Sequence, residues 1–335
     1  MTERILSVMN DSNMTIYNID WSHPSIIKTI DSDIEKARNK KISACNEFKM
    51  KGFNDQQYYI DKLGSLADEH DFKFDINKYN IKESFLKMLN INIDDNDLEN
   101  LHLCNSNDVG RRGNREEKKK LCAGILDIGQ RLVFYKSYDE IVREVIAPSV
   151  SSIHNCDILY VQAFPCIRIV RPREFSIGPH SDCAYGFSPA NINFYIPLTS
   201  TYGNNSIILE SSPGQENWHA IQGSYGDIKR FHGSLCTHFT IENMTDKTRV
   251  SLDFRVIIPS LWEPSINQYS SSPGYYCKVI IIIIIIIIII IIIIIIIIIL
   301  IIIIIIIIIL IIIISSMSYI MMIINGSVLM MKTLI

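Results

Sequence analysis

The sequence predicts an α+β protein in which a mainly helical first half precedes a β-rich second half and an apolar tail. Three observations support this class. Between residues 25 and 150, apolar side chains recur at spacings of three and four, which is typical of amphipathic helices. After Val150, short β-branched and aromatic runs alternate with Gly, Pro, Asn and Ser, which favours a sandwich, a jelly roll or a barrel. Residues 279–314 are almost pure isoleucine.

The segment before the β-rich half divides into two predicted parts. Residues 1–24 are polar and rich in Asn, and we expect a loose arm. Residues 25–150 carry helical stripes and are expected to pack on the β-rich core; two of the stripes consist of Ile27, Ile30, Ile34 and Ala37, and of Tyr59, Leu63, Leu66 and Ala67. The stretch 105–120 is strongly charged but contains no aromatic residue. We therefore expect a solvated loop there and no nucleic-acid surface.

The β-rich region, residues 151–278, contains six predicted strands. They lie near residues 158–171, 191–198, 205–211, 226–231, 236–242 and 248–258. The residues between the last two, Asn243 to Asp246, have the composition of a turn, which predicts that these two strands form a hairpin. The stretch 260–278 is expected to be coil.

Composition limits the partners and the compartment. The net charge is only −3, which argues against a protein that mainly binds phosphate backbones. The eight cysteines form no Cys-x-x-Cys pair, so a structural zinc site is not expected. The first ten residues have neither an uninterrupted apolar core nor a small-residue cleavage site. We therefore expect free thiols in a reducing, cytoplasmic compartment.

The tail, residues 279–335, opens with a near-homopolymer of isoleucine over residues 279–314. As a helix this tract would extend about 54 Å, against roughly 30 Å for the apolar core of a bilayer. Natural spans mix several apolar residue types, whereas Leu300 and Leu310 are the only variations after Val279. Three hypotheses stay open: a repeat expansion without structural purpose, a C-terminal membrane anchor, and a buried or aggregation-prone segment.

The residues that carry chemistry lie in the β-rich region, beginning with the triplet His180-Ser181-Asp182. The triplet lies between two predicted strands, and in extended backbone residues i and i+2 point to the same side. An imidazole and a carboxylate would then face one point and supply two ligands of a 2-His-1-carboxylate triad. Iron(II) suits this mixed donor set, which leaves coordination positions open.

A third ligand must come from a later strand, and His219, His232 and His238 are the candidates. We choose His238 because Arg249 and Ser251 follow it on the next predicted strand. The other two are expected to be surface histidines.

Alternation along that next strand gives it two different faces. One face carries Arg249, Ser251, Asp253 and Arg255, and the other carries Val250, Leu252, Phe254 and Val256. This is the pattern of a barrel with a ligand-bearing interior. The guanidinium of Arg249 can hold a carboxylate in bidentate fashion, and Ser251 can add a hydroxyl donor. An ordinary edge strand with its charges in water is the alternative.

The series His180-x-Asp182, His238 and Arg249-x-Ser251 resembles the motif of the Fe(II)/2-oxoglutarate-dependent oxygenases. Within that superfamily the run from Gln162 to Arg255 is similar to the StrG-like proteins. The similar segments are INFYIPLT at 192–199, NSIILESSPG at 205–214 and GSLCTHFTIENMTDKTRVSLDFRV at 233–256. The resemblance covers about a third of the chain.

This resemblance implies a double-stranded β-helix (jelly-roll) core. It also implies Fe(II) bound by His180, Asp182 and His238, and 2-oxoglutarate as co-substrate, with its distal carboxylate on Arg249 and Ser251. By alternation from Asn191, Asn193 would point into the barrel and donate to the co-substrate or the substrate; an ordinary turn or strand-start residue is the alternative.

The expected function is a dioxygenase that uses dioxygen to hydroxylate a small polar metabolite, such as a sugar or an aminocyclitol. The alternatives are a non-catalytic jelly-roll protein that binds a small molecule, and a C-terminally membrane-anchored protein. A membrane is expected as a partner only if the isoleucine tail is a real anchor.

Overall fold

A computed structural model describes residues 24–89, 97–104, 127–263, 265, 275–281 and 283–332. The predicted arm, apart from its last residue, and the charged stretch 105–120 lie outside these described residues. The chain divides into two compact units, Met1–Ile281 and Ile282–Ile335, each of which is described by itself.

The first unit opens with helices, which occupy much of the sequence with helical spacing. They are α1 (Pro24–Met50), α2 (Gln56–Leu63), α3 (Ile81–Met88), α4 (Ile128–Ile141) and α5 (Ala147–His154), with a π-helical turn at Val142–Ile146 between the last two. Side chains cap two of them, because the carboxylates of Asp55 and Asp127 accept from the backbone N–H groups of Tyr58 and Gln130.

The larger sheet of this unit is antiparallel, and one of its faces carries residues of the candidate site described below. Its strands are β1 (His70–Lys73), β2 (Ile158–Gln162), β3 (Cys166–Val170), β4 (Ile192–Pro197), β7 (Asp227–Phe231), β9 (Arg249–Ile257) and β10 (Tyr276–Ile280). They are ordered β1-β7-β4-β9-β2-β10, with β3 also pairing with β9. In the central pair, Asn193 lies opposite Arg255 and Tyr195 lies opposite Asp253.

A second, smaller sheet has the order β6-β5-β8 and is also antiparallel. Its strands are β5 (Ile207–Leu209), β6 (His219–Ile221) and β8 (His238–Phe239). The predicted hairpin between 236–242 and 248–256 is therefore wrong, because β8 pairs with β5 whereas β9 pairs with β2, β3 and β4. The chain crosses from one sheet to the other between them. Asn243 fixes this crossover by donating to the carbonyls of Val170 and Lys247 at 3.2 and 2.8 Å.

Three further strand predictions need correction. The predicted strand 158–171 is split into β2 and β3 by the segment containing Pro165, which has no N–H to donate to a ladder. The short strands β1 and β6 were not predicted. The expected coil over 260–278 ends inside β10, which pairs with β2 and takes up the first two residues of the apolar tract, Val279 and Ile280.

The two faces of β9 separate the core from the site, in agreement with the alternation of its sequence. Val250, Leu252, Phe254 and Val256 join the main hydrophobic core, where Phe254 stacks on Phe194 at 5.7 Å and meets Tyr138 of α4 edge-on at 5.1 Å. Burial of each such aromatic side chain contributes roughly 1.5–3 kcal/mol. Helix α4 thus lies on the apolar face of the larger sheet, whereas Ile34 of α1 packs with Ile208 and Phe239 of the smaller sheet.

The second unit contains one helix, α6 (Ile283–Lys332). Its segment Ile290–Ser318 has the length and the composition needed to cross a membrane, and none of it is buried.

Candidate metal centre

The three predicted ligands converge between the two sheets. His180 and His238 form an isolated antiparallel bridge, with backbone N–H to carbonyl distances of 3.1 and 2.8 Å in the two directions. Asp182 opens a short 3₁₀ turn, and its backbone N–H donates to the carbonyl of Gly233 at 3.0 Å. These backbone bonds join two distant segments of the chain and place all three side chains in one buried space.

The donor atoms lie close enough together to form a candidate site for one metal ion. Asp182 Oδ1 lies 3.6 Å from His180 Nε2 and 3.9 Å from His238 Nε2, and the three ligand atoms lie within 4.8 Å of one another. All three residues are buried. Two imidazoles and one carboxylate are the donor set of non-haem iron(II) sites that keep open positions.

The backbone fixes which imidazole nitrogen is available. Nδ1 of His180 lies 2.9 Å from the carbonyl oxygen of Gly178, and Nδ1 of His238 lies 3.1 Å from that of Cys236. A carbonyl can only accept, so each Nδ1 carries the proton and each Nε2 presents its lone pair. Burial, and then the nearby His180, lower the pKa of His238 to about 4, so its imidazole is neutral at physiological pH.

Asp182 is ionised despite its burial. Burial alone would raise the pKa of this carboxyl, but the guanidinium of Arg255 holds it well below its usual range. Its second oxygen, Oδ2, accepts from Arg255 Nε and from Asn193 Nδ2, both at 2.8 Å. The predicted site residue Asn193 therefore points into this space, as alternation indicated, and its amide N–H contacts a candidate metal ligand.

Arg255 is a site residue whose role sequence analysis missed. Its Nη1 donates to Gln162 Oε1 at 3.2 Å, and its guanidinium lies 4.0 Å from the ring centroid of Phe187. Alternation placed Arg255 on the polar face of β9, but the residues that surround it come from distant segments. Only the register of the sheet and the path of the 182–187 loop reveal them.

The predicted carboxylate-binding pair, Arg249 and Ser251, lies buried on the same polar face, and each residue has a polar atom without a hydrogen-bond partner among the described residues. Arg249 is 1% exposed, and its Nη1 donates to the carbonyl of Asn205 at 3.0 Å. Within the described part of the chain, Arg249 Nε, Ser251 Oγ and Tyr195 Oη have no hydrogen-bond partner. Burial raises the pKa of Tyr195, and the nearby Arg249 guanidinium and Ser251 hydroxyl oppose that rise. Tyr195, which the sequence did not single out as a site residue, lies two positions after Asn193 and therefore on the same face of β4.

Two cavities meet at His180. The inner one is walled by His180, His238, Asn193 and Arg249, with the apolar Ile207 and Phe231 beside them. The outer one has a volume of about 330 Å³ and lies between α1 and the loop that carries His180. Ser176, Ile177 and His180 line both cavities, so the ring of His180 separates the predicted co-substrate position from a larger space open to a second molecule.

The two histidines not chosen as ligands behave differently. His232 is buried, with Nε2 2.7 Å from the carbonyl oxygen of Pro189, so the expected surface position is wrong. His219 is partly exposed on β6 and pairs with Glu69 at 2.9 Å. Neither belongs to the group of potential ligands formed by His180, Asp182 and His238.

Several solved structures are similar to part of this chain. A nickel complex of the non-heme monooxygenase ThoJ is 20% identical, with a TM-score of 0.32 over 37% of this chain and 54% of that one. A 2OG-Fe(II) oxygenase-family oxidoreductase from Burkholderia pseudomallei is 12% identical, with a TM-score of 0.31 over 61% and 90% of the two chains. At these values the likeness is partial.

Among curated proteins, the chain is similar to the streptomycin biosynthesis protein StrG of Streptomyces griseus. The two are 32% identical over 110 residues, which is 32% of this chain. The chain spans about half of that relative's length, 52%. The resemblance to StrG indicated by the sequence motifs is thereby confirmed over these residues. No protein-family model matches the chain.

Proposed function

We propose that this protein is an Fe(II)- and 2-oxoglutarate-dependent dioxygenase that hydroxylates a small polar metabolite. The observation that carries the proposal is the position of Arg249, a buried cation with an unsatisfied Nε, on the inner cavity that also contains His180 and His238. A buried guanidinium is costly unless a counter-charge meets it, and a bound carboxylate would supply one. In this proposal the counter-charge is the far carboxylate of a dicarboxylate that reaches from the metal to this cation.

The chain's own groups have separate tasks in this proposal. The Nε2 atoms of His180 and His238 and Oδ1 of Asp182 hold the metal. Arg249, Ser251 and Tyr195 bind the distal carboxylate of 2-oxoglutarate, while Ile207 and Phe231 keep water out of the inner cavity. Bound iron with 2-oxoglutarate supplies the oxidation of a C–H bond by dioxygen, with succinate and carbon dioxide as co-products.

The substrate enters the outer cavity. Its volume of about 330 Å³ lies at the lower end of ligand pockets, which suits a metabolite of the size of a sugar or an aminocyclitol. Its lining mixes apolar with polar side chains, including Ser176 and Tyr185. Because His180 lines this cavity, a substrate there lies next to the metal position.

The two antiparallel sheets with the site between them support a double-stranded β-helix (jelly-roll) as the core. A reducing cytoplasmic compartment stays the prediction for this unit. For the second unit, α6 is a candidate C-terminal anchor.

An anaerobic titration tests the function before any substrate is known. Fe(II) and then 2-oxoglutarate are added to the full chain in detergent, and the visible spectrum is recorded. We expect a metal-to-ligand charge-transfer band in the wild type and none in Asp182→Ala. Exposure to dioxygen should then yield succinate. A wild type that binds Fe(II) without forming the band would refute 2-oxoglutarate as co-substrate.

Asp253→Asn provides a matched control. Asp253 is also a carboxylate on the interior face of β9, but it is paired with Arg168 Nε at 2.7 Å and does not belong to the triad. We expect the band to persist in this variant. Because Asp253 also lines the inner cavity, loss of the band in both variants would show that any change of charge there abolishes it, and it would remove the support that the Asp182 variant gives.

A further inference from the structure

The metal ligand Asp182 is held by two side chains that face each other across two neighbouring strands. Asn193 of β4 and Arg255 of β9 are register partners in the larger sheet. Both donate to the same oxygen, Oδ2, at 2.8 Å. The other oxygen, Oδ1, is the one that faces the two imidazoles. The two carboxylate oxygens thus have separate partners.

We propose that Arg255 and Asn193 act as positioning residues that keep Asp182 a one-oxygen ligand and thereby preserve an open position on the metal. The inference rests on the proposed metal centre and goes further, because it assigns a task to two residues that do not touch the metal. A carboxylate free to rotate can bind a cation through both oxygens. With Oδ2 engaged by two donors, only Oδ1 is available.

Arg255 is itself immobilised, as a positioning residue must be. Gln162 of β2 accepts from its Nη1 at 3.2 Å, and the ring of Phe187 lies against its guanidinium at 4.0 Å. The residue is only 6% exposed. The guanidinium therefore has contacts on several sides, and its direction toward Asp182 is fixed by the sheet and by the 182–187 loop.

Positioning and simple charge predict opposite effects on metal affinity. A guanidinium that acted only through its charge would repel a bound cation, so its removal would raise the affinity. If the guanidinium instead acts by fixing a metal ligand in place, its removal would lower the affinity for the metal. Outer-shell partners of metal ligands typically contribute 10- to 100-fold to affinity.

The experiment measures Co(II) binding by absorption in the full chain, for the wild type and for the variants Arg255→Gln, Arg255→Lys and Asn193→Ala. We expect a 10- to 100-fold loss of affinity in Arg255→Gln and a loss in the same direction in Asn193→Ala, where no charge changes. Arg255→Lys keeps the charge but loses the forked contact with Asp182 and Gln162, so it should resemble Arg255→Gln. The Co(II) absorption bands should also shift in all three variants, because the second carboxylate oxygen becomes available.

Arg168→Gln is the matched control. Arg168 is also an arginine of the interior face that pairs with an aspartate, Asp253, but it contacts no candidate metal ligand. We expect its Co(II) affinity to be equal to or above that of the wild type. Circular dichroism and thermal unfolding establish that each variant is folded; should Arg255→Gln not fold, the charge-neutral Asn193→Ala decides the question.

The outcomes separate this inference from the proposed function. Unchanged or higher affinity in both Arg255→Gln and Asn193→Ala, with unshifted bands, would overturn the positioning role and leave the oxygenase proposal intact. Loss of affinity in a protein that produces no succinate would support positioning and refute the oxygenase. A wild type that binds no Co(II) at these residues would refute both.

Discussion

At the scale of single residues, Arg249 illustrates a site that gives up stability for binding. It lies 1% exposed with one backbone acceptor, and burial lowers its pKa. A buried charge without a counter-ion is costly, and an apolar side chain of similar volume removes that cost. We therefore expect Arg249→Met to raise the melting temperature of the metal-free protein, measured by calorimetry.

The same substitution should abolish the response to co-substrate. A ligand that binds only the folded state raises the melting temperature, and the rise grows with the logarithm of the ligand concentration divided by its Kd. With metal present, 2-oxoglutarate should stabilise the wild type but not Arg249→Met. The smaller change Ser251→Ala should keep the metal-free melting temperature and weaken the response. A full 2-oxoglutarate effect in Arg249→Met would contradict the assigned role of this residue.

The buried His232 makes stability dependent on pH. Burial lowers its pKa to about 4, against about 6.5 in an unfolded chain. Between these values the unfolded chain binds more protons, so the stability that is complete above pH 6.5 is lost as the pH falls toward 4. From pH 7.5 to 5 this group should cost about 2 kcal/mol. Urea unfolding at both pH values should show a smaller loss in His232→Gln than in the wild type.

His219 offers a control of opposite sign. Although burial lowers the pKa of His219, its pairing with Glu69 outweighs this and leaves the pKa raised. Its stabilising contribution is therefore present at low pH and is lost as the pH rises. His219→Gln should enlarge the loss on acidification rather than reduce it. Equal acid sensitivity in both glutamine variants would exclude the buried imidazole of His232 as a cause.

At the scale of elements, the segment between β7 and β8 must approach β4 closely. A Cβ added at Gly233 would lie 2.8 Å from Asn193 Cγ and 2.8 Å from Phe231 Cε2. Such overpacking typically costs about 1–3 kcal/mol. Because Asn193 donates to Asp182, we expect Gly233→Ala to lower both the free energy of unfolding and the Co(II) affinity.

Gly178 is the corresponding control. No heavy atom lies within 4 Å of a Cβ built there, so Gly178→Ala should change stability by no more than about 0.5 kcal/mol. Calorimetry and Co(II) titration check both variants. If Gly233→Ala unfolded at the wild-type temperature with unchanged Co(II) affinity, the close packing of Gly233 on Asn193 would not be important.

Helices and strands with a strong hydrophobic period could be predicted from the sequence. Short strands, and the pairing between strands, could not. The alternation of β9 indicated both its apolar face and its interior polar face. In contrast, β1 is short and mostly exposed, and β8 has only two residues. The hairpin prediction failed because a turn-like composition does not reveal which sheet the chain enters next. Partner choice depends on the whole fold.

The candidate site, likewise, could be predicted only where a local pattern of residues indicated it. Residue type and i, i+2 spacing proposed His180 and Asp182, and the polar row on β9 guided the choice of His238. The contacts of Arg255 and the contribution of Tyr195 depend on strand register, which no local pattern encodes. The buried state of His232 depends on the 186–191 loop, whose carbonyl at Pro189 accepts from it.

At the scale of the whole molecule, the boundary between the two units decides how the tail can be removed. The apolar tract begins inside β10, whose Val279 pairs with Leu159 of β2, and the backbone N–H of Ile281 donates to the carbonyl of Asp157. Tyr276 Oη also donates to Asn191 Oδ1 at 2.7 Å. The first residues of the tract therefore belong to the folded unit.

Two truncations test this boundary and the nature of the tail together. A chain ending at Ile281 should melt at the same temperature as the full chain in detergent and bind Co(II) equally well. A chain ending at Gly274 should melt lower, because it loses β10.

The exposed segment Ile290–Ser318 removes a large apolar surface from water only if it enters a membrane or self-associates. If it is an anchor, the full chain should sediment with membranes and resist carbonate extraction, whereas the chain ending at Ile281 should stay in the supernatant. Detergent-resistant aggregates would instead support an aggregation-prone repeat, since detergent would disperse a membrane-inserted helix.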